Sequence, residues 1–313
     1  MTADGRLPVL AVVGPTASGK SDLAVALALE VGGEVVGADA LQLYRGMDIG
    51  TAKLPVEQRR GVRHHEIDVL ALTEEASVAA YQRHSRADLG EIRARGRVPV
   101  VAGGSGLYVR AALDVLDIPP TDPAVRRRLQ AQATEAGAQA MHARLSDVDP
   151  RAAQAIPPGN VRRVIRALEI VELTGQPVTA RMPRRAYVEP TVAVGLLPSR
   201  AVTDARVDAR VERMWAEGLV EEVRGLQTHG LREGRTASRA LGYAQVLRQL
   251  DGELTQAQAI AETQRATRRY ARRQESWFRP DPRIRWVDPD REDALAAALS
   301  ILRDVLRENA AHG

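Results

Sequence analysis

The stretch Gly14-Pro15-Thr16-Ala17-Ser18-Gly19-Lys20-Ser21 matches G-x-x-x-x-G-K-[ST] at every fixed position. Its context narrows the fold further. An apolar run, Leu7 to Val13, precedes it, and a helical pattern of Leu23, Ala24, Leu27, Ala28 and Val31 follows. The glycines let successive backbone N–H groups turn inward around an oxyanion, and the helix N-terminus adds the positive end of a dipole. Lys20 supplies a point charge for terminal phosphates, and Ser21 a hydroxyl suited to Mg²⁺. The competing reading is a plain strand-to-helix turn, which the flanking pattern disfavours. Read alone, the loop suggests ATP. It leaves open whether the phosphate is transferred, hydrolysed or lost.

Residues 7–13, 33–37 and 97–102 read as buried strands, each followed by a glycine-containing turn, with helices at 19–31 and 75–95 between them. Alternating strands and helices predict an α/β fold with a parallel sheet whose ligands sit at the carboxyl ends of the strands. The second strand delivers Asp39, Ala40, Leu41 and Gln42 to that rim; the third runs into Gly103-Gly104-Ser105-Gly106. Phosphate-hydrolysing enzymes of this class usually end a later strand in an acidic residue that holds Mg²⁺. Here that place is taken by Gly-Gly-Ser, and the nearest acidic candidate, Asp68, follows only a weak strand. Hydrolysis is poorly supported.

From about Asp117 to Val188 the texture changes. Pro119, Pro120 and Pro123 open the segment, amphipathic stretches at 122–145 and 160–174 follow, and Pro183 and Pro190 close it. The expected organisation is a P-loop α/β core over 1–117, an inserted helical subdomain over 118–188, and the remainder of the core with basic helices over 189–313. A further strand is expected at 191–197, then helices at 203–217, 219–229, 238–250, 255–279 and 290–308. The helix at 255–279 carries Arg265, Arg268, Arg269, Arg272, Arg273 and Arg279, with Tyr270, Trp277 and Phe278 among them. Guanidinium groups at helical spacing can line a phosphate-binding face. A solvated basic face is the bland alternative; for Trp277 and Phe278 a core position is preferred.

Composition adds exclusions. The chain has no cysteine, hence no disulfide framework and no thiolate site. No apolar run approaches a membrane span, and the N-terminus lacks a basic, apolar leader, so the cytoplasm is the expected compartment and a membrane partner is not. A net charge of +4 is too mild to prove a polyanionic partner. Among 44 basic residues only Lys20 and Lys53 are lysines, which marks both as places where a rotatable ammonium is hard to replace. For Lys53, chance competes evenly with a weak phosphate contact. A monomer is the working expectation.

Taken together, these segments resemble the bacterial tRNA dimethylallyltransferases. The matching pieces are Gly14–Ser21; Asp39 with the run Gln42-Leu43-Tyr44-Arg45-Gly46-Met47-Asp48-Ile49-Gly50-Thr51-Ala52-Lys53; His64-His65 with Ile67-Asp68; and Gly103–Tyr108. Asn160, Arg162-Arg163 and Arg166–Glu169 follow, then Leu241-Gly242-Tyr243, Thr267–Gln274 and Trp277–Arg279. The pieces keep the family's order across about nine-tenths of the chain, and the run from Gln42 to Lys53 is far more specific than any P-loop.

The resemblance implies transfer of a dimethylallyl group from its diphosphate to N6 of the adenosine 3′ of the anticodon, in tRNAs reading codons that begin with U. It implies Mg²⁺ near Ser21, with Asp39 as the base and Ser105 beside it. It makes Gly14 through Ser21 a cradle for departing pyrophosphate, with Arg210 as a weaker phosphate contact. It also implies tRNA contacts by Asp39, Ala40, Leu41, Gln42, Ser105, Arg126, Arg162, Arg163, Val164, Ile165, Arg166, Arg268, Arg269, Arg272, Arg273 and Arg279. Two departures stand out: Ala40 where the family commonly has serine, and Ser105 where it commonly has threonine. Asp39 could instead be a helix cap or a loop carboxylate paired with Arg45. The rivals are an adenylate isopentenyltransferase, a P-loop small-molecule kinase and a non-catalytic RNA-binding protein.

Overall fold

The computed structural model describes residues 7–178 and 185–311; Pro183, expected to close the insert, lies outside them. Chain contacts divide it into two compact units, one of 1–113 with 187–313 and one of 114–186.

The first unit is built on six parallel strands in the order β3-β2-β4-β1-β5-β6. They are β1 (Val9–Val13), β2 (Gly33–Gly37), β3 (His64–His65), β4 (Val98–Gly103), β5 (Thr191–Leu196) and β6 (Ile284–Val287). β1 is buried along its whole length, as a central strand covered on both faces must be. It pairs with β4 (Leu10 opposite Val100) and with β5 (Leu10 opposite Val192). Helices α1 (Lys20–Val31) and α11 (Ala294–Ala311) cover the face carrying Leu10, Val12, Val35 and Val100. Helices α2 (Val78–Ala94) and α3 (Gly106–Leu113) pack together and onto β4 on the other, where the Tyr81 and Tyr108 rings lie 4.7 Å apart.

The second unit holds α4 (Pro123–Val148), α5 (Pro150–Ala155) and α6 (Val161–Thr174). Its core joins Leu129, Met141 and Leu145 to Val164, Ile165 and Leu168. Asp122, Asp149 and Asn160 cap the three helices through side-chain oxygens, which stops each element where its polar residue stands. Gly137, at φ 81° and ψ 166°, breaks α4 in its middle.

After β5, the first unit continues with α7 (Arg200–Ala216), α8 (Leu219–Gln227), α9 (Tyr243–Leu250) and α10 (Gln256–Phe278). Their apolar sides close on Tyr44 and Met47 from the loop after β2, giving a second core of Trp215, Leu219, Val223 and Tyr243. The helix expected over 238–250 is interrupted: a 3-10 turn at Ala237–Arg239 precedes Gly242, whose φ of 87° starts α9 afresh. Among the described residues, the short 3-10 turn Val56–Arg59, α3, α5 and β6 had no counterpart in the sequence reading. α3 begins inside a glycine-rich loop, α5 is six residues long, and β6 alternates with arginine and tryptophan in a four-residue edge strand.

Candidate active site

The sheet order explains why three sequence segments meet. β2, β4 and β1 are adjacent and parallel, so their carboxyl ends deliver Asp39, the Gly103–Ser105 loop and the P-loop to one rim. There they surround a cavity of about 640 Å³ whose lining includes Thr16, Ala17, Gly19, Lys20, Ser21, Asp39, Gly103, Gly104, Arg210 and Gln274. Leu41, Ile49, Leu54, Val211, Met214 and Leu241 give it apolar wall.

The P-loop side is built to hold an anion. α1 starts at Gly19 (φ 88°) with no side-chain cap, so its first amides are left for a ligand. Ala17 takes a left-handed backbone (φ 63°), a conformation that costs a non-glycine residue about a kcal/mol and belongs to nests of inward N–H groups. Lys20 Nζ donates to Pro15 O at 2.6 Å, which folds the ammonium back over the loop. Burial first and the neighbouring Arg210 second, partly offset by Asp39, bring the Lys20 pKa down to about 8. Arg210 reaches Thr16 Oγ1 at 3.3 Å. Its own pKa is lowered, mainly by burial and then by Arg213, a second cation on the cavity wall. Such clustered, desolvated positive charge is suited to an anion.

Asp39 faces it. Desolvation raises its pKa above the usual carboxylate range, against the N–H of Leu41 (3.0 Å) and the charge of Lys20. No helix follows Asp39 for it to cap: its carboxylate accepts the Leu41 N–H within a turn, and Arg45, weighed as its partner, lies by Glu74 and Asp68 O. Ser105 accepts the Ala40 N–H (3.4 Å) while its own N–H donates to Ala38 O (3.3 Å), stitching the acceptor-side loop to the Asp39 turn. Gly103 admits no side chain, because a Cβ there would lie 2.2 Å from Ala38 O.

Other expected contacts are placed differently. Lys53 is buried, with its ammonium on Tyr44 O (2.9 Å), Asp48 (2.7 Å) and Asp68 (2.5 Å). It fixes the loop that carries Asp48, and its charge is already matched. Gln42 holds Thr51 O at 3.2 Å. In the second unit Val164 and Ile165 are core residues, 0% and 6% exposed, so the i, i+3, i+4 periodicity of α6 removes them from the surface that Arg162 and Arg163 occupy. Arg126 and Arg166 both close on buried Glu169 at 2.8 Å. On α10, Arg268 and Arg272 pair with Asp208 and Asp204 of α7, and Arg279 with Glu275, leaving Arg269 and Arg273 exposed; Arg273 lies over the Tyr270 ring. Phe278 is buried as expected, but Trp277 is 47% exposed.

Two residues escaped the sequence reading. Arg213 lines the cavity beside Arg210, one arginine among many in the composition. Glu222 accepts the N–H groups of Asp48, Ile49 and Gly50 (3.2, 2.7 and 3.4 Å) and the Tyr243 hydroxyl (2.5 Å), which anchors the cavity wall at Ile49 and Gly50. Three of its partners are backbone N–H groups far away in sequence, so no local pattern could have revealed it.

For a metal, the described residues contain no group of three or more His, Asp or Glu that could hold an ion unaided. Ser21 and Asp22 line the cavity at the start of α1, a sparse donor set that fits Mg²⁺ shared with phosphate oxygens better than a closed protein cage.

The IPP transferase family model matches residues 42–281. The chain is 58% identical to a tRNA dimethylallyltransferase of Kineococcus radiotolerans over 304 residues, covering 95% of this chain and 96% of that one. It is 57% identical to the enzyme of the same name from Thermobifida fusca, covering 94% of each. Among solved structures, the full-length tRNA isopentenylpyrophosphate transferase of Bacillus halodurans is similar at 40% identity and a TM-score of 0.70, covering 97% of both chains. A eukaryotic dimethylallyltransferase acting on tRNA is similar at 25% identity and a TM-score of 0.81, covering 94% of this chain and 78% of that one.

Proposed function

Because the chain belongs to the IPP transferase family, we propose that it transfers the dimethylallyl group of dimethylallyl diphosphate to N6 of adenosine 37, beside the anticodon of tRNAs reading codons that begin with U, with release of pyrophosphate. The observation that carries this reading is one cavity that opposes a desolvated carboxylate, Asp39, to a cationic phosphate cradle, with Lys20 sensing both.

The exocyclic amine of adenine is a weak nucleophile because its lone pair is delocalised into the ring. As N6 bonds to the allylic carbon, the bond from that carbon to the diphosphate oxygen breaks, and the N6 proton passes to the Asp39 carboxylate. A base with a raised pKa suits this transfer, since its proton affinity approaches the operating pH. Pyrophosphate departs with growing negative charge, met by the uncapped amides of α1, by Lys20 and by Arg210. The branched tail lies along Leu41, Ile49, Val211, Met214 and Leu241, which exclude water from the cationic carbon. Ser21 and Asp22 would hold Mg²⁺, which would neutralise charge on the diphosphate oxygens.

The adenine reaches the cavity by leaving the anticodon stack, at a cost of a few kcal/mol that contacts elsewhere on the tRNA must offset. Arg269 and Arg273 on α10, and Arg162 and Arg163 on α6, are exposed and suited to phosphate. A tRNA substrate makes the cytoplasm the compartment of action, and no helix among the described residues is long and apolar enough to cross a membrane.

The test is to incubate the chain with labelled dimethylallyl diphosphate and either unmodified tRNA or AMP. Label is expected in tRNA at one adenosine. Label in AMP alone would establish the adenylate enzyme in its place, and ATP consumption with no label transferred would establish a kinase.

A further inference from the structure

α10 turns two faces to two tasks. Arg265, Arg269 and Arg273, four residues apart, are exposed on one side. Thr263, Thr267, Tyr270 and Gln274, spaced three and four apart, line the cavity on another. Gln274 is 5% exposed and spends both ends of its amide. Its Oε1 accepts the N–H of Thr16 in the P-loop at 2.8 Å, and its Nε2 donates to Gly104 O at 3.0 Å. A Cβ at Gly104 would lie 2.3 Å from that Nε2, so the amide fills the space a side chain would take. One turn later Trp277 covers Gly106 in the same way, with a Cβ there only 2.0 Å from its ring. One turn earlier, Tyr270 lies beside Ser105 and Gln274, which partly offset the rise that burial gives its pKa.

The ladder of their parent strands reaches Val13 opposite Gly103, where the backbones of Gly14 and Gly104 lie close together. Beyond that ladder the Gln274 amide joins Thr16 to Gly104, and it comes from a helix well over a hundred residues downstream.

We propose that Gln274 is a positioning residue that sets the separation between the loop holding the diphosphate and the loop beside the acceptor adenine. The inference rests on the transfer reaction above. In-line displacement requires N6 and the allylic carbon to approach within about 3–3.5 Å in alignment, and misplacement by about 1 Å costs on the order of 10²-fold in rate. A residue that binds neither substrate but fixes both loops should therefore act on turnover more than on affinity.

The experiment compares the full-length chain with Gln274→Met and Gln274→Glu in steady-state transfer to tRNA. Wild-type transfer tests the functional reading by itself, and the ratio of variant to wild type tests Gln274. Gln274→Met keeps the volume and loses both hydrogen bonds: kcat is expected to fall about 10²-fold while KM for tRNA and for dimethylallyl diphosphate each stay within about 3-fold. Gln274→Glu keeps the shape and the acceptor for Thr16 N–H but sets a carboxylate against Gly104 O. Protonation restores the donor, so its deficit relative to wild type should shrink as pH is lowered from about 8 to about 6, the range in which a buried carboxyl recovers its proton. A packing role alone would leave that ratio flat. Should Gln274→Met prove misfolded by thermal unfolding, the isosteric glutamate decides. Wild-type kcat in either variant at pH 8, a loss confined to KM, or a pH-independent Gln274→Glu deficit overturns the proposal.

Discussion

At the scale of the residue, Asp39 and Lys20 perturb each other across the cavity. Burial raises the Asp39 pKa and lowers that of Lys20, each charge partly restores the other, and with Arg210 nearby Lys20 comes to about 8. Asp39 must be ionised to accept the N6 proton, and its pKa is raised, so activity should fall with decreasing pH earlier than an ordinary carboxylate would dictate. The acid limb of kcat/KM is expected above the unperturbed aspartate value near 3.9, and Asp39→Asn should reduce single-turnover transfer by about 10²–10⁴-fold while tRNA binding survives. Rapid-quench measurements across pH check both; an acid limb at the unperturbed value would show that Asp39 is not the group being titrated. Asp39, Ser105 and the P-loop were legible because each lies in a glycine-punctuated segment at a strand end. The job of Lys53 was not: a buried lysine tied to two aspartates and a carbonyl looks, in sequence, like a scarce cation kept for a ligand.

Among elements, helices were easier to read than the duties of their faces. Their periodic apolar residues predicted α4, α6, α7 and α10 to within a few residues, whereas α3, α5 and β6 are too short or too polar for periodicity to register. The arginines of α4 and α6 show the second difficulty. Guanidinium groups advertise phosphate, but Arg126 of α4 and Arg166 of α6 satisfy Glu169, which is fully buried on α6. Desolvation pushes the Glu169 pKa up; hydrogen bonds from Arg126, Arg166 and Thr121 more than reverse this and bring it to about 2. The stabilisation is thus complete above the unfolded carboxyl's range near 4.5 and lost only as pH falls toward about 2. At neutral pH, Glu169→Ala leaves two guanidinium groups without their anion and should destabilise the 114–186 unit by about 3 kcal/mol, read by hydrogen exchange of α4 and α6. Exchange unchanged in those helices would mean that the pair is solvated and worth little.

On the scale of the whole molecule, a net charge of +4 understates the affinity for a polyanion, because the basic residues are unevenly committed. Arg268 and Arg272 bind α10 to α7, whereas Arg269 and Arg273 are exposed. In a plot of log tRNA affinity against log salt, Arg269→Ala and Arg273→Ala should each lower the slope by about 1, and Arg268→Ala should lower it less. Equal effects from all three would assign Arg268 to the tRNA as well. The insert has a consequence of another kind. Val115 N–H donates to Ala186 O, and Val188 N–H to Leu113 O, both at 2.8 Å, so the chain leaves and rejoins the core at one place. β1 must pair with β5 about 180 residues later, across everything between. An insert that brings its own ends together removes itself from that loop, shortening it to roughly three-fifths and easing closure by roughly half a kcal/mol. The gain in stability is slight, but the effect on topology is large: the insert turns a distant strand pairing into a nearer one, lowering the effective contact order of the sheet.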